Sequence, residues 1–288
     1  MSGWFEPFAE FAFMRRALVA CCALALGSAP VGCLLVLRRM SLVGDAMAHA
    51  VLPGAAAGFL LAGLSLPAMS AGGFVAALAV ALAAGFVTRS TPQREDASFA
   101  AFYLIALALG VLLVSLRGSQ VDLMHLLFGS VLAVDDAALV LIAGVASVTT
   151  LGLALMWRPL VMESVDPGFL RSVGGPGTAA HMLLLVLLVA NLVGAFQALG
   201  TLMAVGLMML PAAAARFWAA SLPSMVALAV ALGMASGAVG LLWSFHAELP
   251  SGPCIVLVCG AAYLVSVGLG RRDGLLTRRL QARRHLTG

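Results

Sequence analysis

Asp45 and His49 are the residues of this chain whose types and spacing best suit chemistry. They lie four residues apart in the otherwise apolar segment 38–54, RRMSLVGDAMAHAVLPG. In a helix, side chains four residues apart share one face, so the carboxylate and the imidazole would point the same way. Ionisable groups inside a membrane segment are costly and usually line a substrate path, and Asp with His suits a divalent metal. The pair therefore predicts a passage site for a metal ion.

A purely structural alternative stays open for this pair. The two side chains could form a packing hydrogen bond, because the small residues around them allow close helix contact with or without a metal path. A transport site should hold metal loosely, with few protein ligands and exchangeable waters. Neutral imidazole is the form that binds metal, so protons should compete with metal at His49. Counting residues from Arg39 places Asp45 one to two turns from the membrane edge, whereas a site closed to both sides would lie deeper.

His246 and Glu248 are a second candidate for binding metal, at the predicted outer end of a span. They could attract or relay a cation, or they could be exposed loop groups. Asp122 and His125 pose the same choice, as an i, i+3 pair near the outer surface. The remaining polar residues of the spans are predicted to be structural: Asp135 and Asp136 as helix caps, Glu95 and Asp96 as a helix cap or as ion-pair partners of Arg89 or Arg94, His181 at a helix start, and Asn191 and Gln197 between helices.

The composition requires that these residues be positioned by membrane helices. Of 288 residues, 62% are hydrophobic and 10% are charged, and the mean hydropathy is +1.09. Soluble domains carry about 25% charged residues. The apolar runs are continuous, which excludes a β-barrel and predicts an all-α polytopic bundle of eight to nine spans. The runs lie at 17–37, 42–64, 70–88, 97–116, 137–157, 179–196, 199–218, 224–245 and 252–270, with a re-entrant or interfacial helix at 122–134.

The arginines orient these spans. A nine-span arrangement places thirteen of the sixteen arginines on one side, which the positive-inside rule makes cytosolic. The N-terminus is then external and the Arg-rich tail, 271–288, is cytosolic. A single transmembrane domain therefore spans 1–288, with its bundle at about 12–270, in a cytoplasmic membrane. The basic tail is predicted to lie at the lipid surface and not to bind nucleic acid.

The chain contains no lysine. A P-loop needs a lysine to reach the β- and γ-phosphates, so ATP-driven work would need an ATPase on a separate polypeptide. The five cysteines lie in apolar runs without CxxC spacing and predict buried thiols rather than disulfides.

One loop, at 158–177, is long enough to meet a partner. Asp166 and Pro167 predict the start of a short helix, Phe169 and Leu170 follow, and the sequence Gly174-Gly175-Pro176-Gly177 ends it. On physical grounds this helix could dock a partner or could be a surface connection.

The chain resembles the membrane subunits of bacterial metal-uptake ABC transporters, the ABC-3 family, which serve zinc, manganese and iron. The similarity runs from about residue 12 to residue 270, with Ala48 in place of a common serine. The matching motifs, in the family's order, are RRMSLVGDAMAHAVLPG at 38–54, RED at 94–96, DLMHLLFGSVLAV at 122–134, DPGFLRSVG at 166–174, ALGTLMAVGLMMLPAAAARF at 198–217 and LPSGPCIVL at 249–257.

This resemblance implies a permease that works as a homodimer in the bacterial inner membrane. Cytosolic ATPase subunits would bind it from below, and an external solute-binding protein would deliver the metal. The loop with Asp166, Phe169, Leu170 and Gly174 would be the helix that contacts the ATPase. The transported metal would be the only metal bound, with zinc favoured over manganese or iron because an Asp/His pair suits zinc.

Two other function classes fit less well. An ion-coupled secondary transporter should carry several separated membrane carboxylates, and Asp45 is the only acid clearly inside a predicted span. An intramembrane metalloenzyme should carry a motif such as HExxH, which is absent from the chain.

Overall fold

The computed structural model describes residue 4 and residues 6–63, 65–92, 94–116, 134–272, 274, 275 and 277. Every regular element in these residues is a helix. The helices are α1 (Glu6–Glu10), α2 (Ala12–Leu37), α3 (Val43–Ala62), α4 (Leu66–Ser90), α5 (Glu95–Leu116), α6 (Asp136–Leu155), α7 (Trp157–Val165), α8 (Pro167–Ser172), α9 (Gly177–Leu199), α10 (Thr201–Arg216), α11 (Leu222–Ala247) and α12 (Ser251–Leu269).

The predicted all-α membrane bundle is confirmed. Eight of the described helices are long and apolar enough to cross a membrane, namely α2 to α6, α9, α11 and α12, and α10 is a shorter apolar helix. Each of the nine predicted apolar runs falls on one of these helices. The predicted re-entrant helix at 122–134 lies, apart from Val134, outside the described residues.

Helices α2 and α9 form the centre of the bundle. Both are apolar on every face, which is the pattern of a helix surrounded by protein, and most of their residues are buried. Helix α2 packs against α6, α10 and α11, and α9 packs against α4 and α6. Gly32 of α2 lies so close to the backbone of Met208 in α10 that a Cβ would overlap its carbonyl oxygen. The absence of a side chain there sets the distance between these two helices.

Helix α3 lies between α4 and α5 and is held by close backbone contacts. Gly54 of α3 lies against the carbonyl of Gly72 in α4, and Gly58 lies against Ala68 one turn away. On the other side, Pro53 packs against Gly110 of α5. Small residues allow helices to approach this closely in a membrane. As a result, α3 is tightly packed against α4 on one side and α5 on the other. Asp45 lies on a remaining side of the helix.

The short helix predicted in the loop at 158–177 is confirmed as α8. The carboxylate of Asp166 accepts a hydrogen bond of 2.8 Å from the backbone N–H of Phe169, which caps the helix start. Gly174 has φ +68°, a left-handed conformation suited to glycine, and the N–H of Gly175 donates to the carbonyl of Leu170. The predicted start and stop signals therefore act as expected.

The opposite end of the bundle is tied by polar contacts near the N-terminus. Asp135 accepts a hydrogen bond from Ala138 N–H and so caps α6, as predicted. Asp136 instead pairs with Arg16 of α2, with 3.0 Å between Arg16 Nε and Asp136 Oδ1. Inside the bundle, Asn191 donates to Thr149 of α6 at 2.7 Å, which confirms its predicted role between helices.

Candidate metal path and coupling region

Asp45 and His49 lie one turn apart on the same face of α3, as their spacing predicts. His49 Nε2 is 3.8 Å from Asp45 Oδ1, which is too long for a hydrogen bond. The side chains are 66% and 37% exposed for Asp45 and His49 in the single chain. The packing hydrogen bond considered from the sequence is therefore not formed, and both side chains present ligand atoms to an open face.

Tyr103 of α5 completes the surroundings of His49 and was missed from the sequence. The two rings lie roughly parallel, with centroids 6.1 Å apart and an angle of 27° between their planes. A ring beside the imidazole limits the directions that His49 can adopt. In the sequence, Tyr103 is visible only as one of the chain's two tyrosines, within an apolar segment. Nothing in the sequence shows which helix its ring faces.

The register between α3 and α4 places the pair along the bundle. Because the helices are antiparallel with Gly54 against Gly72, His49 is level with Ala77, and Arg89 at the end of α4 lies about 18 Å further along at 1.5 Å per residue. Tyr103 lies about 12 Å along α5 from its start. His49 is therefore about 12–18 Å from the end of the bundle where α4 ends and α5 begins. Met40 and Val43, before and at the start of α3, are buried, so the base of α3 lies inside the bundle.

Asp45 and His49 together offer at most two protein ligands to a metal ion and do not form a closed metal site. Within the described ranges, no group of three or more His, Cys, Asp or Glu side chains is placed to hold a metal ion. A carboxylate and an imidazole on an open face would leave the remaining coordination positions to water or to groups outside this chain. Such a site releases metal easily, which suits a path and not a structural centre.

His246 and Glu248 lie at the other end of the bundle from Asp45 and His49, and His246 makes structural contacts there. The His246 ring stacks on Trp4, with centroids 4.6 Å apart and 9° between the planes, and its Nδ1–H donates to the carbonyl of Leu242 at 2.9 Å. Glu248 is exposed and ends α11 in a left-handed conformation with φ 54°. The pair is therefore remote from Asp45 and His49. Asp122 and His125 lie outside the described residues.

A buried charge cluster at the end of the bundle where α2 and α4 end was not predicted. Arg38, which follows α2, has a side chain 7% exposed, and its guanidinium donates to Ser164 Oγ at 3.2 Å and to His181 Nδ1 at 2.6 Å. Its Nη2 also lies 3.8 Å from Oε1 of Glu163 in α7. Burial lowers the pKa of Arg38, and the carboxylates of Glu95 and Glu163 oppose that shift. Arginine nevertheless stays charged in proteins.

Glu163 is the centre of this cluster. Its side chain is 6% exposed, and Oε1 accepts a hydrogen bond of 2.6 Å from Arg89 Nη2, at the end of α4. Arg89 also donates to Thr178 Oγ1 and to the carbonyl of Gly177 at the start of α9. Four segments thus meet around Glu163: the end of α2 through Arg38, the end of α4 through Arg89, α7 itself, and the start of α9 through its bonds to Arg89. The sequence shows each residue only as a polar group near a membrane edge, and the partners are far apart in the chain.

Helix α8 presents only part of its apolar sequence outward. Phe169 is 49% exposed, whereas Leu170 is 6% exposed and packs against Gly175 and Gly177. Val173, at the end of the helix, is also exposed. Of the two neighbouring apolar residues in the predicted coupling motif, Phe169 is available to a partner, while Leu170 fixes α8 to its own chain.

Comparisons with known proteins agree with this architecture. The model of the ABC 3 transport family matches residues 10–270. The chain is 36% identical to the manganese import system permease protein ScaB of Streptococcus parasanguinis, covering 89% of this chain and 90% of that protein. It is 32% identical to the chelated iron transport system membrane protein YfeD of Yersinia pestis, covering 91% and 86%.

A solved structure shares the fold over nearly the full length. It is PsaBC from Streptococcus pneumoniae in complex with Fab, with a TM-score of 0.82 and 31% identity, covering 98% of this chain and 99% of that chain. The family match covers most of the sequence, and the arrangement of apolar helices is the one found in this neighbour. The chain therefore belongs to the ABC 3 transport family, as a multi-pass permease of the bacterial inner membrane.

Proposed function

We propose that this chain is the permease subunit of an ATP-driven importer of a divalent transition metal, and that the metal passes Asp45 and His49. The observation that supports this proposal is a carboxylate and an imidazole 3.8 Å apart on one open face of α3, a helix long and apolar enough to cross a membrane. Ionisable groups within such a helix usually serve a substrate path. The names of the relatives, which concern manganese and iron transport, support a metal as the cargo.

Manganese is the cargo we propose first, with iron as the alternative. The Asp/His pair alone favours zinc, but two residues do not define a coordination sphere, and the relatives' names support manganese and iron instead. Carboxylate and water oxygens are ligands that suit manganese. A site with one carboxylate, one imidazole and open positions is compatible with this choice.

Separate subunits complete the transporter in this proposal. The ATPase would contact the exposed apolar residues of α8, and a solute-binding protein would deliver metal at the opposite side. A second copy of the permease would cover the open face of α3, because a carboxylate exposed to lipid is costly. Two copies would then bring two Asp/His pairs to a shared path.

Uptake of radioactive metal into proteoliposomes tests the proposal. Vesicles with the permease, its ATPase and its binding protein should accumulate manganese when ATP is supplied on the ATPase side. Vesicles with an ATPase whose P-loop lysine is replaced should not. Accumulation without a working ATPase would favour an ion-coupled transporter and contradict the proposal. Parallel assays with iron and zinc identify the cargo, and uptake of zinc alone would overturn the choice of manganese.

A further inference from the structure

The buried cluster around Glu163 lies between the ATPase-facing loop and the helix that carries the metal ligands. Glu163 is in α7, three residues before Asp166, which caps α8. Its two arginine partners belong to segments that hold α3. The cluster therefore joins the ATPase-facing loop to the end of α2 and the end of α4. The proposed function requires these three parts to move together.

The first connection runs through Arg38. This residue ends α2, and only the short turn 39–42 separates it from α3. The turn is tight: Arg39 has φ 59°, and the N–H of Met40 donates to the carbonyl of Leu35 at 2.9 Å. With Arg38 bonded to Ser164 of α7, a displacement of α7 would be passed along a short and constrained path to the base of α3.

The second connection runs through Arg89. This residue lies at the end of α4 and bonds the same oxygen of Glu163. Helix α4 is packed against α3 at Gly54 and Gly72 with no room for a side chain between them. A shift of α4 along its axis would therefore move α3 with it, because close-packed helices do not deform continuously.

The cluster also has spare bonding capacity that a second arrangement could use. Among the residues that the structure describes, Glu163 Oε2 and His181 Nε2 are buried without a hydrogen-bond partner. A buried network that is only partly satisfied contributes little to stability, whereas removing one charge leaves the others uncompensated. These properties fit a junction that changes its pairing better than a static support.

We propose that Glu163 is a positioning residue through which movement of the ATPase-facing loop is transmitted to α3 and its metal ligands. This inference rests on the proposed function, since it requires that α8 contacts an ATPase. Glu163 itself touches neither metal nor ATPase. Its loss should leave ATP hydrolysis and subunit assembly intact while separating hydrolysis from transport.

The test uses the reconstituted complex and measures metal uptake and ATP hydrolysis in the same vesicles. Glu163→Gln keeps the shape of the side chain but removes its charge, and Arg89→Gln removes one of the two connections. Both should lower the metal transported per ATP at least fivefold while the ATPase still co-purifies.

Arg89→Lys, which keeps the charge, should retain most of the coupling. Asp136→Asn, which breaks an ion pair at the other end of the bundle, is the control and should leave the ratio unchanged.

The outcomes separate this inference from the proposed function. An unchanged ratio in Glu163→Gln overturns the inference, and if that variant cannot be purified, Arg89→Gln decides in the same way. Loss of ATPase binding in either variant also overturns it, because the cluster would then be part of the docking surface. Failure of the wild-type complex to transport metal would contradict the proposed function instead.

Discussion

At the scale of single residues, the central observation is that Asp45 and His49 are exposed and bonded to neither each other nor a neighbouring backbone group in the contacts described. Polar groups inside a membrane bundle are normally satisfied by protein partners, as Asn191 is by Thr149. The contrast between Asn191 and the Asp45 and His49 pair separates structural polar residues from those open to a ligand.

We expect Asp45→Asn and His49→Ala to reduce metal uptake at least tenfold without impairing assembly. Each change removes a proposed metal ligand, while substitutions of exposed side chains shift stability by about 0.5 kcal/mol or less. Uptake in proteoliposomes and thermal unfolding of the purified complex measure the two effects. Asp136→Asn serves as the matched carboxylate control at the outer surface. Normal uptake in both variants would remove Asp45 and His49 from the path.

The residues of the candidate site were predictable from the sequence to different degrees. Helical spacing alone placed Asp45 and His49 on one face, because that relation is local. The contact of His49 with Tyr103 and the pairing of Glu163 with Arg38 and Arg89 depend on which helices become neighbours, and no local rule supplies that. For the same reason His181 was predicted only as structural, and its arginine partner was not foreseen.

At the scale of helices, hydropathy located all nine apolar segments, because eight are long and apolar enough to cross a membrane and the ninth, α10, is a shorter apolar helix. The register of α3 on α4 was not predictable from the sequence of α3. It follows from the backbone contacts with α4, where glycines in two helices happen to face each other. Glycine positions are visible in a sequence, but their partners are not.

The contact between α3 and α4 predicts a specific intolerance to added volume. In Gly54→Ala the new Cβ would overlap the carbonyl oxygen of Gly72, so the helices must separate, and overpacking of this kind costs about 1–3 kcal/mol. A lowered unfolding temperature of the purified permease should report this. Gly144→Ala in α6 is the control, because a Cβ there meets nothing within 4 Å. Equal unfolding temperatures for the two variants would show that the α3–α4 contact is not tight.

Helix α8 predicts different outcomes for two neighbouring residues that the sequence motif treats alike. Phe169→Asp places a charge on the exposed face and should abolish co-purification of the ATPase, while the unfolding temperature of the permease stays unchanged. Leu170→Asp buries a charge and should lower that temperature. If ATPase binding survives Phe169→Asp, α8 is not the docking helix.

At the scale of the whole molecule, the charged residues lie at positions that other subunits would have to complete. The buried cluster lies where α2 and α4 end, the Arg16 and Asp136 pair lies at the opposite end of the bundle, and Asp45 lies between them on an open face. A chain without lysine has no standard P-loop, so the energy must be supplied from another subunit. The open face of α3, which carries Asp45, must be covered by water or by another protein.

A second permease copy on this face predicts a position-dependent cross-link. Ala101 is exposed on α5, the helix that packs against α3, whereas Val148 is exposed on α6. In a variant whose five cysteines are replaced by alanine, Ala101→Cys should form dimers with a short bis-maleimide in membranes, because a two-fold interface brings identical patches together. Val148→Cys should remain monomeric under the same conditions. Dimers through Val148 but not Ala101 would place the interface on the α6 side and leave Asp45 facing something other than its own copy.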